Sequence, residues 1–190
     1  GYNLLPIIVE RVTGRSFADF TRERIFAPLG MTRSGWRDDY RRIVPGRALG
    51  YVREGEAFVL GLPIENAHGS GGMLTSDADL MKWLEALERG TLGPFVTSKL
   101  TEAARLNDGR TADYGRGLVL GSHRGQREIF HNGGTNGYQA WAGRYPDQGV
   151  AIAMLCNGRT VGPDTQVRRL AGQMLPGEPE RPAAPAPDAD

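Results

Sequence analysis

The stretch from Gln126 to Asn157 constrains the fold more than any other part of this sequence. It holds three β-type runs separated by two Gly-containing joints. Gln126 to Phe130 is the first run. Tyr138 to Tyr145 mixes aromatic and small residues. Val150 to Cys156 is apolar without interruption, the pattern of a strand buried on both faces. The joint Pro146-Asp147-Gln148-Gly149 is a turn in which Pro presets φ and Gly accepts a positive φ. The other joint, His131-Asn132-Gly133-Gly134, is expected to end a strand and to let backbone lie against a ligand. An imidazole, an amide and bare backbone N–H groups meet there.

The remainder of the chain supplies helices around this β-rich half. Leu4, Leu5, Ile8, Val9 and Val12 recur at helical spacing, with Gly14 placed as a C-cap. Ser16 and Asp19 form a capping box for a second helix, whose buried side is Phe17, Phe20, Ile25 and Phe26 and which Pro28 ends. Residues 32 to 72 show little periodicity. Arg33, Arg37, Arg41, Arg42 and Arg47 read as a solvated surface. Gly50 to Arg53 and Ala57 to Leu60 suit a small hairpin across Glu54-Gly55-Glu56. His68 sits in the Gly-rich loop from Ala67 to Gly72 and reads as solvent-exposed. Ser76 and Asp79 form a second capping box. Leu80, Trp83, Leu84 and Leu87 follow at i, i+3, i+4 and i+7, and Gly90 stops that helix. A short helix is expected near Val96 to Leu100, a strand from Tyr114 to Leu120, and a last helix from Asp164 to Leu175. The order of elements predicts an α+β fold, with an antiparallel sheet and flanking helices.

Residues 1–175 read as one domain, or part of one. Residues 176–190 are rich in Pro and Ala and cannot bury apolar area, so a disordered tail is expected. A formal net charge of +1 argues against nucleic acid as a partner. No apolar run approaches the ~20 residues of a membrane span. The single cysteine, Cys156, excludes an internal disulfide and reads as apolar filler. His68, His123 and His131 lack partners at metal-ligand spacing, and no Gly-Lys-Ser/Thr follows the Gly-rich loop, so neither a metal nor another cofactor is expected. Gly1-Tyr2 lies at a helix entrance without an initiating Met, which reads as a cut inside a longer chain.

The run His131-x-Gly133, Gly134-x-x-Gly137-Tyr138, Pro146-Asp147-x-Gly149 and an apolar strand closing on Asn157 resembles the C-terminal half of the serine β-lactamase-like hydrolases. That group includes class C β-lactamases, D-alanyl-D-alanine carboxypeptidases and related esterases. Two further stretches resemble it: the segment from Gly1 to Ser34, and Gly71-Gly72 leading through Ser76 to Asp79-Leu80. Gly1-Tyr2 would lie just after the family's Tyr-x-Asn motif. His131 matches the first residue of the family's Lys-Thr-Gly-type motif, where Lys or His stands. The resemblance implies that His131 favours a substrate carboxylate and the active-site proton network. It gives Asn132 the middle position, commonly Thr or Ser, and has Gly133 admit substrate backbone. It places at Gly134 an N–H that helps bind the oxyanion. Periplasmic or extracellular localisation and a peptide or small-molecule substrate are what the same resemblance implies.

Acyl transfer in this family needs a Ser nucleophile, a Lys three residues on and the Tyr of Tyr-x-Asn. An unaided alcohol attacks poorly, and the tetrahedral intermediate must be charge-stabilised. Ser16, Ser34, Ser70, Ser76, Ser98 and Ser122 are the serines, and none has Lys three positions later. Tyr-x-Asn is absent as well. The expectation is therefore a fragment of a serine hydrolase acting on a peptide, ester or β-lactam carbonyl, itself inactive. The alternative is a non-catalytic relative that binds peptide or peptidoglycan-like ligands.

Overall fold

The computed structural model describes residues 1–37, 39–61, 63, 68–158 and 162–177. The proposed tail lies almost wholly outside the described residues, as does Ala67 of the Gly-rich loop. The helices are α1 (Leu4–Thr13), α2 (Phe17–Thr21), α3 (Asp77–Arg89), α4 (Pro94–Leu100) and α5 (Pro163–Met174). The strands are β1 (Gly35–Trp36), β2 (Tyr51–Glu54), β3 (Ala57–Leu60), β4 (Met73–Leu74), β5 (Val119–His123), β6 (Gln126–Thr135), β7 (Tyr138–Tyr145) and β8 (Val150–Cys156). The fold is α+β.

The main sheet is four-stranded and antiparallel, in the order β5-β6-β7-β8. Its connections are short because its turns are chemically suited. Arg124 and Gly125 both take positive φ between the paired residues His123 and Gln126. Asn136-Gly137 joins the pair Thr135 and Tyr138, the favoured composition for a tight hairpin. Gly149 takes φ 65° after Pro146–Gln148, as its turn requires.

Side chains alternate across this sheet, so each face has its own cover. Phe130, Trp141, Tyr145 and Ile152 face α5, where Val167, Ala171 and Leu175 complete a core. Phe130 and Trp141 stack at 5.3 Å. Gly143 lies beside them because a Cβ there would come within 2.3 Å of Phe130 Cβ. Inside this core the buried Glu128 accepts from Tyr145 Oη at 2.6 Å and from Arg168 at 3.3 Å. On the opposite face α3 packs against β7 and β8. It buries Leu80, Leu84 and Leu87, and Arg144 pairs with Glu88.

The serine half of both expected capping boxes forms: Ser16 Oγ accepts from the Asp19 N–H at 3.0 Å, and Ser76 Oγ from the Asp79 N–H at 3.3 Å. Asp79 does more than cap. Its buried carboxylate also accepts from the Arg33 N–H at 2.7 Å, from Ser34 Oγ at 2.9 Å and from Lys82 Nζ at 3.1 Å. It thereby pins the segment that follows α2 to the start of α3.

The hairpin β2–β3 forms with the register Glu54↔Ala57, and its open end seats on the β6–β7 turn. A Cβ on Gly61 would lie 2.7 Å from Gly137 Cα, and one on Gly50 would lie 2.6 Å from the Tyr138 ring. Tyr138 Oη donates to the Ala48 carbonyl at 2.8 Å, and the Tyr51 N–H donates to the Asn157 carbonyl at 2.9 Å.

Several expectations need correction. Tyr114 to Leu118 is a loop, and the strand begins at Val119. The reason is local: Gly117 takes φ 85°, and Gly115 lies against the Leu100 carbonyl with no room for a side chain. Arg37 is buried, donating to the Pro63 carbonyl at 3.1 Å. His68 is half-buried, bonded to the Arg37 carbonyl at 2.9 Å and in ring contact with Trp36 and Phe17. On α1, Leu4, Leu5, Ile8 and Val12 are exposed although their spacing is helical. Leu170 and Met174 of α5 are also exposed.

Candidate functional site on β6

His131-Asn132-Gly133-Gly134 does not end a strand. It lies within β6, which continues to Thr135. Its residues pair in register with Ala142, Trp141, Ala140 and Gln139 of β7. The apolar alternation stops at Phe130, which is why the sequence places the strand end too early. The hydrogen-bonded ladder carries on through the glycines, and the true reversal is Asn136-Gly137.

All four residues are exposed. Alternation sends neighbouring side chains to opposite faces. Asn132 points toward the N-terminus of α5, where its Nδ2 donates to Asp164 Oδ1 at 2.8 Å. His131 meets Tyr114: Nε2 and the phenol oxygen are 3.0 Å apart, with the rings edge to face at 6.0 Å. The other ring nitrogen, Nδ1, contacts the Asn132 carbonyl oxygen. Tyr2, at the entrance to α1, is the neighbour that acts electrostatically on Tyr114. Burial, and then this neighbour, raise the Tyr114 pKa above the ordinary phenol value. Gly133 opens onto free space, since a Cβ there would meet no atom within 4 Å. At Gly134 a Cβ would meet only ordinary contacts, the nearest being the Tyr138 carbonyl oxygen at 3.5 Å.

The arrangement is an open stretch of strand, stripped of side chains at two positions and flanked by an imidazole held by a phenol. It can receive an extended backbone or a flat acyl group against β6, with polar groups to one side. Tyr114, Tyr2 and Asp164 were not among the residues the sequence singled out. The pattern Tyr114-Gly115-x-Gly117 was the available signal, because glycines so close to a Tyr mark a tightly built loop. Among the described residues, no group of three or more His, Cys, Asp or Glu side chains is arranged to hold a metal. None of the described helices is long and apolar enough to cross a membrane.

Comparison with known families decides the relationship. Residues 1–173 match the profile of the beta-lactamase family. The chain belongs to the beta-lactamase family. It is 34% identical to penicillin-binding protein 4* of Bacillus subtilis, across 96% of this chain and 45% of that protein. It is 26% identical to a D-aminopeptidase of Gluconobacter oxydans, across 95% of this chain and 35% of that protein. The structure superposes on an octameric penicillin-binding protein homologue from Pyrococcus abyssi with TM-score 0.82 and 25% identity, covering 95% of this chain and 42% of that one. A D-amino acid amidase from Ochrobactrum anthropi superposes with TM-score 0.74 at 23% identity, covering 90% of this chain and 54% of that one, which speaks for the shared fold. The beta-lactamase-family chain thus spans less than half the length of these curated relatives.

Proposed function

We propose that this chain forms the substrate-facing sheet wall of a serine acyl-transfer site. In this reading His131 favours the substrate carboxylate and the proton network, Gly133 admits substrate backbone, and the Gly134 N–H helps stabilise the oxyanion. Asn132 lines the substrate strand through its backbone while its side chain is held by Asp164. The observation that carries the reading is the open, glycine-floored strand beside His131, in a chain that matches the beta-lactamase family along residues 1–173. The carbonyl attacked belongs to a peptide, amide, ester or lactam; relatives named as a penicillin-binding protein and a D-aminopeptidase favour peptides carrying D-residues. Such substrates place the work at the cell envelope or outside it.

The nucleophilic Ser-x-x-Lys and the Tyr-x-Asn are absent from these 190 residues. The chain alone is therefore expected to be inactive toward a chromogenic cephalosporin, a short nitrophenyl ester and a D-alanyl anilide. Serine-dependent turnover above a heat-treated control would overturn the reading. In a longer protein that joins this chain to both motifs, His131→Ala should lower kcat/KM while leaving folding intact. A charge-assisted contact is worth about 1.5–3 kcal/mol, or about ten- to a hundred-fold in rate. An unchanged kcat/KM would demote His131 to a structural residue. The alternative reading is a non-catalytic binder of peptide or peptidoglycan-like ligands. Binding of such a peptide with no turnover by the longer protein would select it.

A further inference from the structure

Tyr114 sits on a segment that the backbone grips from several sides. The Ala104 N–H donates to the Tyr114 carbonyl at 2.9 Å, and the Arg116 N–H to the Leu100 carbonyl at 3.2 Å. The Gly115 N–H donates to the Leu118 carbonyl at 2.7 Å, and Tyr114 bridges to Val119. Gly115 itself is so close to α4 that a Cβ would lie 2.3 Å from the Leu100 carbonyl oxygen. The phenol therefore arrives at His131 from a rigid support and not from a free loop.

The protons on the imidazole follow from its two contacts. A carbonyl oxygen only accepts, so the Nδ1 that faces the Asn132 carbonyl carries the hydrogen. In the neutral ring Nε2 is then the acceptor, and the Tyr114 hydroxyl 3.0 Å away is the donor. The raised pKa of this phenol, caused by burial first and by Tyr2 second, is consistent with its keeping the proton.

We propose that Tyr114 is a positioning residue for His131, fixing its ring orientation and, together with the Asn132 carbonyl, holding the neutral imidazole in the Nδ1–H tautomer. The inference rests on the reading of His131 as a site residue. It adds that His131 enters that site preset by a second side chain contributed from a separate loop. A supporting hydrogen bond on a ring nitrogen is a common way to secure the orientation and tautomer of an imidazole in a site.

The test uses the chain itself, labelled with ¹⁵N-histidine and observed by long-range ¹H–¹⁵N spectra above the imidazole pKa. The sequence has three histidines, and His131→Gln identifies the signal. A free histidine side chain favours the Nε2–H form, so a predominant Nδ1–H pattern at His131 is the expected result. Tyr114→Phe removes the donor to Nε2 and leaves the Asn132 carbonyl in place, so it should raise the Nε2–H share at His131 measurably above wild type. Tyr2→Phe, which leaves the Tyr114 hydroxyl in place, should keep the wild-type pattern. An Nε2–H pattern in the wild-type chain, or an unchanged pattern in Tyr114→Phe, overturns the proposal. An Nε2–H wild-type spectrum overturns the proposal even where the Phe variant does not fold. Turnover plays no part in this readout, so an inactive longer protein would count against acyl transfer and leave the Tyr114 assignment standing.

Discussion

Asp79 illustrates how much one side chain can hold. Its side chain is 2% exposed, yet it is charged and accepts hydrogen bonds from three donors on two segments of chain. Burial pushes its pKa up, but the Arg33 N–H, the Lys82 ammonium and the Ser34 hydroxyl outweigh burial and leave it below the ordinary carboxylate value. A depressed native pKa means stability that is fully present above the ordinary carboxylate range and lost as pH falls through the native value. Urea unfolding at pH 7 and pH 3 should therefore show a loss on acidification that Asp79→Asn reduces. Asp79→Ala should cost about 2–3 kcal/mol at pH 7 by leaving buried donors unmet; a change under 0.5 kcal/mol would contradict this account. The residue-scale reading of the sequence found this aspartate only as a cap. Capping is written within three residues, whereas the bond to Arg33 joins positions 46 apart. Tyr114 escaped notice for the same reason. Its partner His131 is 17 residues away on another element, and no periodicity encodes that meeting.

At the scale of elements, the glycines separate into those that close a joint and those that leave room. Gly61 and Gly50 let the β2–β3 hairpin touch the β6–β7 turn backbone to backbone. Gly61→Ala forces a Cβ into the Gly137 backbone and should cost about 1–3 kcal/mol, the usual range for overpacking. Gly133→Ala meets open space and should leave the melting temperature nearly unchanged, while weakening substrate approach in an active protein. Thermal melts of the two variants side by side check the contrast, and equal losses would refute it. The helices were legible because caps and apolar spacing agree in them, and the hairpins because Gly sits where the turn needs it. The two-residue strands β1 and β4 were not, since two residues hold no period. The meander was legible as a set of strands, but its glycine-rich segment was read as a terminus because the eye follows apolar side chains while the ladder is made by backbone.

At the scale of the whole molecule, apolar surface is distributed unevenly. On α1, Leu4 is 61% exposed, Ile8 54% and Val12 80%. Strand β8 is the end of the main sheet and, among the described residues, pairs through β7 alone. It carries neither charge nor Pro to protect that edge. The chain is expected to self-associate at concentrations on the order of tens of micromolar, where unprotected edges find partners. Met154 packs against the α5 core, so a lysine there would damage the interior. Leu155 is 36% exposed on the same strand, and Leu155→Lys is the cleaner probe. Light scattering should show smaller particles for Leu155→Lys than for wild type. A monomeric wild type, unaffected by the substitution, would show that the edge is protected.

The order of strands in the main sheet is the order in which they are made. Each of β6, β7 and β8 pairs with the strand just before it, across turns of a few residues, so the loop-closure entropy of each step is small. Sheets built from neighbours assemble faster than those that wait for distant segments. As the chain leaves the ribosome, β5 can receive β6, β6 can receive β7, and α5 can close over the face that results. The strand bearing His131 therefore gains both its hydrogen-bonded neighbours soon after it emerges, without waiting for any long-range pairing elsewhere in the molecule.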